Sequence, residues 1–201
     1  MRTLVRDPSY PIDVVAHVLA AMPWAVRRAA LCTLSNADQG RLWKKAEAAA
    51  PITLADLVPA AVSDDTPVHH FGRNSLPLPE FALRRFEKRF LRPHGVADRL
   101  YGYNHGVSES LFGPGYFVTR PAIDRPEWAE RGAIVVDYFQ VPDRGHADWP
   151  TVVSNDTLRQ RFIFGGTRDF MRRVGAGVSI GAAYKGETAL GTWFLLLAPD
   201  L

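Results

Sequence analysis

Residues 178–198 read VSIGAAYKGETALGTWFLLLA, two apolar runs joined at Lys185-Gly186-Glu187-Thr188. The runs have the length and β-branched or aromatic content of strands, and the junction is a short glycine-containing turn, so the segment predicts a C-terminal β-hairpin. Its second half, Trp193 to Leu197, is apolar at consecutive positions. That suits a strand covered on both faces, with a homodimer contact as the alternative.

Upstream, the same two-residue period reaches back to about residue 99. It marks candidate strands at 99–104, 115–120, 133–141 and 160–164, with 178–184 and 189–198 closing the set of about six. Between the fourth and fifth, Thr167 could cap a short helix to Val174, stopped by Gly175 and Gly177. Residues 11–50 have helical spacing: one helix from Pro11 to about Met22, a second from Trp24 to Leu34, and a third from about Asn36 to Ala50. Ser35 is the natural N-cap of the third, with Asp38 three residues on. Residues 51–79 form a proline-rich connector, with one short strand near 68–71. From Pro79 to Leu91, Ala82, Leu83, Phe86 and Phe90 share a helical face opposite Arg84, Arg85 and Lys88. The fold class expected is α+β. A helical segment, 1–50, packs on a main domain, 51–201, whose curved, mostly antiparallel sheet curls into a cup or half-barrel, helped by Gly102, Gly113, Gly115 and Gly181.

Composition narrows the function classes. The 201 residues carry 24 Lys and Arg against 21 Asp and Glu, too small an excess for a nucleic-acid binder with no recognition signature. The basic charge is uneven: residues 68–99 and 159–173 each hold a local excess of four. Either cluster could meet an acidic partner, and a basic helix around Arg84, Arg85, Lys88 and Arg89 would make an interaction module. The single cysteine, Cys32, rules out an internal disulfide and reads as an inert thiol in a helix. No apolar stretch is long enough to span a bilayer and the N-terminus lacks a secretory pattern, so a cytoplasmic location is expected.

No motif names a reaction, but three groups of residues could carry chemistry. The first is Tyr101-Gly102-Tyr103-Asn104-His105, which with Tyr116 crowds polar aromatic groups onto strands. Tyr101, Tyr103 and His105 share one strand face and could line a pocket for a small organic ligand with an aromatic or acidic part. The second is Asp137 within an apolar strand, where a carboxylate needs an Arg or Tyr partner. An enzyme of cyclase, isomerase or lyase type, working without a metal, would pair His105 as base with Asp137 or a tyrosine, provided the two come within hydrogen-bond reach. The third is Phe164-Gly165-Gly166-Thr167-Arg168, a glycine turn into a helix start that could hold an anion, with Arg161 or Arg168 facing an acidic group. Metal-ligand candidates (His69, His70, His94, His105, His146 with Asp148) are scattered, Ser108-Glu109-Ser110 lacks a nucleophile elbow, and no cofactor or metal is implied. Binding of a small organic ligand is the function expected.

Overall fold

A computed structural model of the chain describes residues 1–76, 84–157 and 159–200. Its centre is a closed antiparallel barrel in which each strand pairs with the next and the last returns to the first. The strands are β1 (Val68–Asn74), β2 (Arg85–Leu91), β3 (Leu100–His105), β4 (Tyr116–Pro121), β5 (Ile134–Asp137), β6 (Thr167–Gly175), β7 (Val178–Lys185) and β8 (Thr188–Leu197). Closure is made by β8 against β1, with Phe71 opposite Leu197 and Asn74 opposite Phe194. The expected α+β class with a curved antiparallel sheet holds coarsely, but the sheet has eight strands and no free edge, not about six in a half-barrel. Closing it removes the unpaired backbone groups of two edge strands.

Three elements differ from the sequence expectation. Residues 85–91 are strand β2, not the end of a helix; residues 79–83 of that predicted helix lie outside the described residues. Phe86 and Phe90 are four apart, a spacing that satisfies both a helix face and a strand face, so the apolar pattern could not separate them. Residues 167–175 are strand β6, not a helix, and the glycines beyond do not end a helix. They build a tight hairpin, with Ala176 and Gly177 both at positive φ, the conformation that matches strand twist. Residues 160–163 are a short helix rather than a strand.

The barrel interior is packed by interlocking rings and glycines. Gly72 faces Phe86, Gly102 faces Phe117, and Gly181 faces Phe194 across neighbouring strands. In each pair the ring lies where a Cβ would stand; at Gly181 an added Cβ would come within 2.1 Å of the Phe194 ring. One end of the barrel is plugged by the connector: Ile52, Leu57 and Val58 pack among Val68, Phe90, Leu100, Met171 and Leu196. His70, pointing inward from β1, holds the plug through its Nε2, 2.7 Å from the Leu57 carbonyl.

Helices α1 (Arg2–Arg6), α2 (Ile12–Ala20), α3 (Trp24–Cys32) and α4 (Asn36–Lys45) cover the outer face of β6–β8. Val15, Leu19, Leu31, Leu34 and Leu42 meet Val174, Ile180, Leu195 and Leu197 there. Helix α4 starts with a capping box in which Ser35 and Asp38 satisfy each other's backbone amides. β8 is therefore apolar on both faces because one side fills the barrel and the other meets the helices. Helices α5 (Val107–Phe112), α6 (Pro126–Arg131) and α7 (Gln160–Ile163) lie in the connections between strands. Among the described residues, no helix is long and apolar enough to cross a membrane.

Candidate functional site

The end of the barrel opposite the plug holds a cavity of about 400 Å³. Its walls are apolar: Phe86 and Phe194 from the strands, with Leu76, Phe112 of α5, Ile163 of α7 and Phe164 from the connections above. Its polar groups come from five strands or their ends: Asn74, Lys88, Asn104, Tyr138 and Asp169. Each points inward by simple alternation, as Lys88 sits between the inward rings of Phe86 and Phe90, and Asp169 lies two residues before inward Met171.

Four of these groups form one hydrogen-bonded cluster. The Lys88 ammonium lies 3.2 Å from the Asp169 carboxylate, donates to Asn104 Oδ1 at 2.9 Å, and donates to the Tyr138 hydroxyl. Asn104 Nδ2 bonds the same hydroxyl at 3.1 Å, which stands 3.2 Å from Asp169 Oδ2. Lys88 is 1% exposed and Asp169 6%, values rare for charged side chains unless they are paired. Burial lowers the Lys88 pKa and raises that of Asp169, while each partner's charge opposes the shift. Both effects of burial favour moving a proton from lysine to carboxylate. Tyr138 is pushed well above the ordinary phenol value, first by burial and then by the Asp169 charge, so it stays protonated. Around the lysine stand the rings of Phe117 at 4.7 Å and of Tyr138 and Phe194 at 5.0 Å.

The residues singled out from the sequence lie elsewhere. Tyr101, Tyr103 and Tyr116 are indeed gathered together, but on the outer face of the barrel, under a loop that carries Trp149. Tyr103 lies 5.0 Å from Trp149 and 5.5 Å from Tyr116, centroid to centroid, and the Tyr116 hydroxyl donates to the Pro150 carbonyl. His105 also points outward, its Nδ1 2.7 Å from Glu109 Oε2. Asp137 is fully buried between Arg120, at 3.3 Å, and Arg168, at 3.2 Å, from the strands on either side. His105 and Asp137 are not brought together: β4 separates their strands, and Asp137 is level with Tyr101, four residues along β3 from His105. That is roughly 13 Å along the strand and 10 Å across the sheet.

Arg168 stacks on Phe139 at 4.0 Å and on Trp128 at 4.6 Å, and Arg161 is exposed on α7. The glycine pair 165–166 leads into strand β6 instead of a helix, and the Gly165 carbonyl accepts from Lys185 Nζ, so the helix start needed for an anion cradle is missing. The basic helix is likewise replaced by β2, in which Lys88 faces inward and Arg89 is bound to Glu87 and the Tyr103 hydroxyl. Of the residues 101–105, Asn104 alone reaches the cavity. Lys88 and Asp169 were missed because each sat in a stretch read as helix. The available signal was a lysine flanked at ±2 by phenylalanines, Phe86-Glu87-Lys88-Arg89-Phe90, which in a strand puts a charge on an apolar face.

A second cavity, of about 410 Å³, lies between the end of α4 and β6. Its arginines are already engaged: Arg172 with the Trp43 and Glu130 carbonyls, and Arg173 with Asp56 and the Pro51 carbonyl. Among the described residues, no group of three or more His, Cys, Asp or Glu side chains is placed to hold a metal ion.

Fold and cavity together define a closed antiparallel barrel with an apolar chamber and a buried Lys-Asp-Tyr-Asn cluster at its floor. Comparison with protein-family models, curated proteins and solved structures finds no match.

Proposed function

We propose that this protein binds a small organic molecule in the barrel cavity, with the apolar body against the phenylalanine walls and one neutral polar group on the Lys88–Asn104–Tyr138–Asp169 cluster. The observation that carries this reading is the cavity itself: about 400 Å³, within the usual range of roughly 300–1,000 Å³ for small-molecule sites. Eight strands close a barrel just wide enough to be filled by side chains or to hold one small ligand. Here glycines at 72, 102 and 181 accommodate the rings, and the chamber above them stays open. A carbonyl or hydroxyl suits the floor better than an acid, since a ligand carboxylate would meet Asp169 in a site of low dielectric.

Native mass spectrometry of the purified protein, before and after denaturation, tests the reading. The expected result is a non-covalent adduct of a small molecule that is lost in Ile163→Trp. Ile163 lines the cavity yet is 41% exposed, so the larger ring can cover the opening without overpacking the core. If the bare protein is found, and it also fails to take up octanal or octanol in the same instrument, the proposal falls.

A further inference from the structure

We propose that Lys88 condenses with a carbonyl group, so that the barrel captures aldehydes or ketones as an iminium on its own lysine. The inference rests on the binding reading above and names its ligand class.

The geometry has three parts. The Lys88 side chain lines the cavity, so its nitrogen can be approached by a molecule seated there. A carboxyl group able to relay protons stands 3.2 Å away at Asp169. Asn104 Oδ1 and the Tyr138 hydroxyl fix the nitrogen in place, which reduces the freedom to be lost on reaction. A lysine needed only to neutralise Asp169 could do so in dry core, as His70 does its structural work among Phe90 and Leu57 at the plugged end. Burial also favours the neutral amine, the form that attacks.

The condensation balances without any other reactant. The Lys88 ammonium passes a proton to Asp169, and the amine lone pair forms the C–N bond while the carbonyl π electrons move to oxygen. That oxygen takes the proton back from Asp169, giving a carbinolamine whose nitrogen is positive. Asp169 removes one proton from this nitrogen and delivers it to the hydroxyl as the C–O bond breaks. Water leaves, and the nitrogen lone pair completes the C=N bond. Ammonium, carboxylate and carbonyl become iminium, carboxylate and water. The iminium charge lies where the ammonium charge lay, beside Asp169 and inside the rings of Phe117, Tyr138 and Phe194, so the box that stabilises the resting lysine also stabilises the product.

The test is reductive trapping with octanal and sodium cyanoborohydride, read by intact and peptide mass spectrometry. The sequence has four lysines, at 44, 45, 88 and 185, which makes assignment simple. The expected result is a gain of one aldehyde less its oxygen, at Lys88, at least tenfold faster than at the other three, suppressed by excess octanol and by Ile163→Trp. Lys88→Arg, which keeps the charge, should remove the adduct while circular dichroism reports a folded barrel. Octanol binding without an adduct at Lys88 overturns the inference and leaves the binding proposal standing. Labelling confined to lysines 44, 45 and 185 overturns it too. Absence of both octanol binding and trapping overturns both.

Discussion

Replacing Lys88 with methionine removes a charge and keeps the shape of the stem, leaving Asp169 buried without its counter-ion. At 3.2 Å and an effective dielectric of about 20, the pair attracts by ~5 kcal/mol, and breaking such a buried pair from one side costs about 3–5 kcal/mol. Lys88→Met should therefore lose stability in that range at pH 7, and Asp169→Asn a similar amount. The double variant, with neither charge buried, should lose much less than the sum, with a coupling of about 2–3 kcal/mol. Urea unfolding of the four proteins supplies the cycle. The pH dependence of Lys88→Met gives a second arm. Burial raises the Asp169 pKa in the folded protein, and without Lys88 only the Tyr138 hydrogen bond opposes that shift. A group whose folded pKa lies above its unfolded value, ~3.9, contributes stability that is complete below the unfolded value and lost as pH rises through the folded one. The deficit of Lys88→Met should thus shrink towards pH 4 and be full at pH 7. Single variants within ~1 kcal/mol of the parent, adding without coupling, would refute the buried, coupled cluster and with it the relay assigned to Asp169.

His70 gives an acid-side prediction: burial pushes its pKa down to about 4, so the folded state refuses a proton that the unfolded chain accepts below ~6.5. Stability should fall as pH drops from about 6.5 to 4, by roughly 3 kcal/mol from this group, and a His70→Gln variant followed by urea titration should lack that share of the slope. Gly181→Ala drives a methyl into the Phe194 ring; it should destabilise by about 1–3 kcal/mol and weaken octanol binding, because Phe194 is a cavity wall. A Gly181→Ala protein that binds octanol normally would argue against the cavity as the site. Ser35→Ala removes one half of the α4 capping box and should cost about 1 kcal/mol with octanol uptake unchanged, since α4 packs outside the barrel.

Much of the site was illegible for a specific reason. The tyrosine-rich strand does carry aromatic groups to one face, but alternation reports only that two faces exist, not which of them turns inward when the sheet closes. Asn104, the residue on the opposite face from those rings, is the one the barrel encloses. Asp137 and Asp169 look alike as single acids among apolar neighbours. One meets two arginines on the outer surface of the sheet, and the other meets a lysine and a phenol across the barrel, from strands 81 positions apart in the chain for Lys88 and Asp169. Nothing local distinguishes them.

By itself the sequence determined the local elements whose signals are strong and short-ranged: the N-terminal helices, the Ser35 cap, the turn at Gly186, and the strands whose apolar period is unambiguous. The helix-like spacing of Phe86 with Phe90 was resolved only by long-range pairing, since β2 gains a full ladder of hydrogen bonds and an interior place for Lys88 between β1 and β3. Closure of the barrel, the plug at residues 52–58 and the convergence of Lys88, Asn104, Tyr138 and Asp169 were decided by tertiary structure alone. Inside and outside are properties of the closed sheet, and a buried charge is tolerated only where another strand brings its partner.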